Sequence, residues 1–504
     1  MTTHVSILVG LAIYSILMMG ISLFWLRRVK KPIDYLVGGR TLSSWVLAGN
    51  ITAGSIGTGV IIGASGLAYQ HGWAGSAYPI GLGIGTALAG LIFAGMRRHK
   101  FMTLSEEISS YYEGKRVVVE FSNVTLFLSQ LCWLIVQIMG GASVIAVVTG
   151  MSLEMATVIA GLITSGIALP GGFKSVVYTD FLQATILLIG FGIVTYSALD
   201  HTGGLGGLRH TVPPSYFSFL GVNSYGHLRV AGMVATLVFS VLADPGRRLS
   251  IYSARSEKGA RISMLTAGLI VTMFSAVIGI TGMYAYKLNP HLPVPDEALL
   301  WLVMYILPAW LAALVVVSVT SGIFSCANGN AMAISTFFVR HIYPLVTKRY
   351  PKRPLLAARG ALAITFVLST AVAMRAGTIV SFVLKFLPVT MSGVAIIILF
   401  GRFWRRSTWQ GALAAQTITP VVSLAVMFFY PNSILNNGVV LAVPGVIALV
   451  VVSLLTPLPS RSFGEVAGEM ASIRESIEGQ GEVKLDVKGV AKGDSVQASS
   501  DAAE

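Results

Sequence analysis

Two stretches place helix-breaking and polar residues inside otherwise apolar runs. One is Ala53-Gly54-Ser55-Ile56-Gly57-Thr58-Gly59 and the other is Ala243-Asp244-Pro245-Gly246. Gly and Pro weaken a helix, and the peptide groups they free find no partner in hydrocarbon. Such breaks persist where the freed oxygens and amides face an ion, a solute or water. Paired interruptions, one near the start of each half of a chain, are the pattern of a carrier that binds its cargo midway through the bilayer. Gly57 and Gly59 have a plainer reading as sites of close helix contact. Asp244 does not, because a carboxylate buried in a membrane is costly.

Further polar residues interrupt the apolar runs, each with two readings. Asp180 closes Val177-Tyr178-Thr179-Asp180 and sits near one membrane face; it lines a cation path or caps a helix near water. Ser325, Cys326, Asn328 and Asn330 lie mid-run among small residues. Hydroxyl and carbonyl oxygens there suit a hard cation such as Na+, and the same groups also hydrogen-bond between helices. Lys385 snorkels to the interface or pairs with a carboxylate such as Asp244. Trp133 stacks on a solute or packs. Asp244 favours an amine and Lys385 a carboxylate, which together suggest a zwitterionic solute. Neither cysteine, Cys132 or Cys326, belongs to a disulfide or metal pattern. The eight histidines lie at run ends or in loops. No nucleophile–base pair or phosphate-loop signature is present, so enzymatic and ATP-driven functions are not expected.

The elements that must position these residues are membrane-spanning helices. Of 504 residues, 54% are hydrophobic and 11% charged, and the mean hydropathy is +0.77. Soluble domains carry about 25% charged residues, so a soluble or disordered chain is excluded. About 20 apolar residues cross the hydrocarbon core as a helix. Thirteen such segments are expected, near 4–26, 44–70, 73–96, 117–149, 152–170, 176–199, 229–250, 262–286, 301–340, 357–376, 378–401, 409–430 and 438–457. The first is too long for a cleaved signal core and is followed by Arg27, Arg28, Lys30 and Lys31. Basic residues, including Arg97, Arg98, Arg247, Arg248, Lys258, Arg349 and Arg405, recur after every second span. The net charge of +14 is therefore a topology signal rather than a nucleic-acid footprint. It places the N-terminus outside and the C-terminus in the cytoplasm. Residues 459–504 turn rich in Glu, Ser, Gly and Lys, as in a disordered cytoplasmic tail, with a short amphipathic pattern at Phe463, Val466, Met470, Ile473 and Ile477.

Three stretches, in order and in this topology, resemble the sodium:solute symporter family. They are Val37-Gly38-Gly39-Arg40 with the first break and Gly63 to Tyr69; Gly171-Gly172 with Val177 to Gln183; and Ser325 to Tyr343. The resemblance covers about residues 4–457, and the first hundred residues are most similar to the choline-transporter branch, including Tyr78-Pro79-Ile80-Gly81. It implies an all-α fold of the LeuT type, with five spans and five inverted spans in 44–199 and 229–401. One N-terminal helix (within 1–43) and two C-terminal helices (402–458) are added. It also implies a Na+ site built from the carbonyls of Ala53, Ile56 and Gly322, the hydroxyl of Ser325 and position 326, with Asp180 on the cation's route inward. Position 326 departs from the family's Ser or Thr, and a thiol is a soft, poor Na+ ligand. A proton then stands as the alternative coupling ion. Ser55 and Leu82 stand where the choline branch has aromatic residues, so only Trp133 of its cage is kept.

The expected protein is a multi-pass inner-membrane symporter without cofactor. Its partners are the lipid bilayer, Na+ and a small organic solute of the amino-acid, betaine or carboxylate class, held near Ser55, Gly57, Trp133, Asp244 and Lys385. A transporter-derived sensor is the competing class. Solute identity, stoichiometry and oligomeric state are not readable from the residues.

Overall fold

A computed structural model describes residues 41–167, 172–349, 351, 354–430 and 438–479, with seven residues between 7 and 17. The described residues are helical, with one isolated bridge between Leu42 and Ala254 and no strand. The first expected span and residues 480–504 fall mostly or wholly outside the described residues. Among those described, eight helices are long and apolar enough to cross a membrane, and one further pair is bent by 49° at a break.

The first half opens with α1 (Ser44–Ser55), N-capped by the Ser43 hydroxyl, which accepts from the Val46 amide at 3.4 Å. The helix stops at Ile56, whose φ of −91° and ψ of 59° leave the helical region. A π-helical stretch (Gly59–Ala64) and α2 (Ser65–His71) complete the broken element. Then follow α3 (Ala77–Phe93), the short amphipathic α4 (Leu104–Tyr111), α5 (Arg116–Thr149), α6 (Leu153–Ile167) and α7 (Gly172–Thr202).

The second half opens the same way. α8 (His227–Ala243) stops at Asp244, and α9 (Pro245–Ser253) starts from it. The stop and the restart come from two adjacent residues. Pro245 cannot continue α8 but suits the first position of a new helix, and the Asp244 carboxylate caps α9 by accepting from the Gly246 amide at 2.8 Å. α10 (Glu257–Leu288), α11 (Ala298–Ile306), α12 (Ala309–Phe337), α13 (Pro354–Ala373), α14 (Ile379–Leu387) and α15 (Gly393–Phe403) follow. Two final helices, α16 (Trp409–Phe429) and α17 (Gly438–Leu455), pack against each other.

Both breaks occur at the expected places, and the first is narrower than 53–59: α1 remains helical through Ser55. α1 packs on α7 and α10, while α5 packs on α12 and α6. The tail expectation needs correction over its first part. Residues Phe463–Gly479 form α18, and Val466 and Ala467 are buried. Ser462 and Glu465 form a reciprocal capping box, and Phe463 enters an aromatic cluster with His99, Phe101 and Tyr111. Polar composition misled here because a few apolar anchors suffice to dock one helix.

Candidate functional site

The two breaks face a common cavity of about 330 Å³, walled by α1, α3, α4, α5, α7, α8, α9 and α12. Its lining runs from Tyr78 and Trp133 to Met102, Thr103, Phe337 and His341. The latter group lies at the end of the bundle that carries the basic loops, where Arg97 donates to the Ala254 carbonyl and Arg98 pairs with Glu257 at 3.4 Å. At the opposite end, hydrogen bonds join neighbouring elements. The Tyr69 hydroxyl donates to the Asn289 carbonyl at 2.8 Å and accepts from the Leu292 amide at 3.0 Å. The Asp296 carboxylate accepts from the Ile379 amide at 2.8 Å, at the start of α14.

The residues expected to hold a cation converge on one side of this cavity. Cys326 of α12 reaches the Ala53 carbonyl, with Sγ to O at 3.8 Å. Gly322, one turn earlier, lies against the Ile56 carbonyl, which an added Cβ would meet at 3.4 Å. Gly57 sits where a Cβ would be 2.9 Å from Cys326 Sγ, so a larger residue there would have to displace the thiol. The Ser325 hydroxyl donates to Asp180, and Asn50 Nδ2 donates to the other carboxylate oxygen at 2.8 Å. Asp180 therefore borders the expected ion ligands directly rather than lying farther along a route. Main-chain carbonyls, a hydroxyl and a nearby carboxylate are hard donors suited to Na+, and the thiol is the one soft member.

Of the residues expected to hold a solute, Ser55, Gly57, Trp133 and Asp244 line the cavity. Lys385 does not. It lies half-buried on α14, which packs on α5 and on the π-helical stretch, outside the ring of helices that walls the cavity. The cation inside is Arg247 instead. Its side chain is buried, and it donates from Nη1 to the Ile51 carbonyl and from Nη2 to the Ser55 hydroxyl, both at 2.8 Å. Its Nε stands 3.7 Å from Asp244 Oδ2. Arg248 is buried too, 3.5 Å from Glu107 and stacked over the Phe93 ring at 3.4 Å. Reading both arginines as markers of a basic loop missed this. The signal that would have found them is position: they fall in the first turn after a mid-membrane break, where a guanidinium has peptide oxygens within reach. Thr58 and Gln137, hydrogen-bonded at 2.6 Å, were missed as well and line the same wall.

This arrangement can hold a small cation between two helices and a polar solute beside it. The family described as "Sodium:solute symporter family" matches residues 35–419. The sodium/pantothenate symporter of Escherichia coli (strain K12) is 23% identical over 439 residues, covering 83% of this chain and 90% of that protein. The high-affinity proline transporter PutP of Bacillus subtilis (strain 168) is 22% identical over 470 residues, covering 88% and 97%. Among solved structures, a Na+-coupled sialic acid symporter in a substrate-bound outward-open state superposes with a TM-score of 0.71 at 18% identity, covering 91% of this chain and 98% of that one. These matches do not single out the choline branch.

Proposed function

The chain belongs to the sodium:solute symporter family and is a Na+-coupled carrier of a small solute across a membrane, and from that premise we propose how its residues do the work. Na+ binds between the carbonyls of Ala53, Ile56 and Gly322, the Ser325 hydroxyl and Cys326, with Asp180 supplying the nearby negative charge. The solute, of the amino-acid, betaine or carboxylate class, binds beside it against Ser55, Gly57, Trp133 and Asp244. The observation that carries this reading is the meeting of both helix breaks at one cavity, with main-chain oxygens of α1 turned to α12. Because ion and solute share the broken end of α1, each raises the other's affinity by the same factor. Rocking of one helical bundle against the other then exposes the shared site to alternate sides. The basic end faces the cytoplasm of a cell with an inner membrane, so the cavity described here leads inward and the Tyr69–Asn289 and Asp296–Ile379 contacts close the outer side.

Uptake into proteoliposomes tests this. An inward Na+ gradient should drive accumulation, and Ser325→Ala should lower Na+-driven uptake by about ten-fold or more through loss of a hard ligand. Accumulation that ignores Na+ and follows a pH gradient would transfer the coupling role to a proton at Asp180.

A further inference from the structure

We propose that Gln130 and Gln137 of α5 select the solute, and that the solute carries, besides its carboxylate, an uncharged group that both donates and accepts hydrogen bonds, a hydroxyl or a carboxamide. This names a subclass of the solutes given above and rests on the carrier reading.

The charged side chains of the cavity wall are already engaged within the protein. Among the described residues that line it, the only Asp, Glu, Lys or Arg side chains are Asp180, Asp244 and Arg247. Arg247 donates to the Ile51 carbonyl and the Ser55 hydroxyl, with Asp244 beside its Nε. Asp244 also caps α9, and Asp180 accepts from Ser325 and Asn50. Recognition therefore falls to neutral groups.

α5 supplies them along one face. Gln130, Trp133 and Gln137 recur at helical spacing, and all three line the cavity. Of the buried glutamines among the described residues, Gln183 donates to Tyr14 at 2.7 Å and Gln416 to Ser122 at 2.5 Å. Gln137 spends only its oxygen, which accepts from Thr58 at 2.6 Å, and that bond turns Nε2 away as an open donor. Gln130 makes no hydrogen bond among the described residues, and neither of its amide atoms is sealed away from the cavity. The two glutamines thus offer different things. Gln137 gives a donor. It stands next to the proposed ion site, because a Cβ on Gly57 would be 3.7 Å from Gln137 Nε2 and 2.9 Å from Cys326 Sγ. A carboxylate oxygen fits there, between the amide and the ion. Gln130 gives a donor and an acceptor, about 10 Å along the helix axis toward the basic end. Its complement is a group with both functions, several bonds from the carboxylate. When the cavity closes on a solute lacking that group, the Gln130 amide loses water and gains nothing, which is the basis of strong rejection.

The test uses the purified full-length protein in Na+ buffer and in proteoliposomes, with probe pairs of nearly equal shape. These are L-glutamine against L-homoleucine and 6-hydroxyhexanoate against heptanoate, with glycine betaine as a solute that has no donor. The amide or hydroxyl member should raise the melting temperature more and be preferred in uptake by about ten-fold or more. Gln130→Met keeps the length of the side chain and should erase that preference. Gln137→Met should weaken both members of a pair alike. The wild-type ranking needs no variant and decides the matter if either one misfolds. The proposal is overturned if wild type binds the apolar members or betaine as well as the others, if no amide or hydroxyl probe binds, or if Gln130→Met keeps the wild-type ranking. Probes that bind in the expected order but are not accumulated would support it and count against the carrier reading. Na+-driven accumulation of betaine or heptanoate in preference to the others would do the reverse.

Discussion

A thiol at position 326 is the chemical oddity of the proposed ion site. Cys326 faces the Ala53 carbonyl from the position where the proposed site would have an oxygen ligand. Replacing it by serine supplies a hard donor in nearly the same volume. Cys326→Ser should therefore lower the Na+ concentration for half-maximal uptake by several-fold, on the order of 1 kcal/mol; an unchanged Na+ dependence would show that position 326 does not touch the ion. At the opposite end, Asp296 lies in the loop before α11, where burial pushes its carboxyl up to about 7, with the Ile379 amide opposing and Glu297 adding to the rise. A carboxyl whose pKa is higher in the folded than in the unfolded state stabilises most at acid pH, and that contribution is lost as pH rises from about 4 to 7. Melting temperatures across this range should fall more steeply for wild type than for Asp296→Asn, whose amide oxygen still accepts from Ile379 while the proton linkage is gone. Parallel profiles would remove Asp296 as the source.

Among the elements, α9 is bound by charge as well as by packing. Arg248 on α9 and Glu107 on α4 are both essentially inaccessible, and Tyr252 and Tyr111 donate to the same carboxylate. Glu107→Gln leaves the guanidinium charge buried without a counter-ion, which costs about 3–5 kcal/mol. The expected result is a clear drop in melting temperature, and a drop no larger than that of an exposed change such as Glu469→Gln would mean the pair contributes little. The same cluster receives α18, since Tyr111 also packs on Phe463. Phe463→Ala should make the chain after residue 460 more open to limited proteolysis while leaving the transmembrane helices protected. Equal cleavage rates in the two proteins would show that the aromatic contact does not hold the helix.

The whole molecule is two helical halves, each opened by a broken helix, and those breaks meet because the halves pack against each other. The proposed mechanism uses only this core. Truncation after residue 461 removes α18 and all that follows, and Na+-driven uptake should survive it within about two-fold, since none of the described residues beyond 461 lines the cavity. Loss of all uptake from a protein that still shows its wild-type melting temperature would point to a signalling or gating role for the tail, the competing reading from the sequence.

Membrane class, helical architecture and the location of both breaks were legible in the residues because each depends on local composition. Apolar length sets a span, and Gly57 or Pro245 interrupts it wherever the chain folds. The grouping of Ala53 and Ile56 with Ser325 and Cys326 was legible only through the family resemblance, as nothing local links residues so far apart. Which cation enters the cavity was decided by packing. Lys385 and Arg247 both read as basic residues near a membrane face, and only the arrangement of α1, α9 and α14 puts one guanidinium on the Ile51 and Ser55 oxygens and leaves the lysine outside. A side chain's place in sequence bounds its depth in the bilayer, but its neighbours are set by helices that meet across the fold.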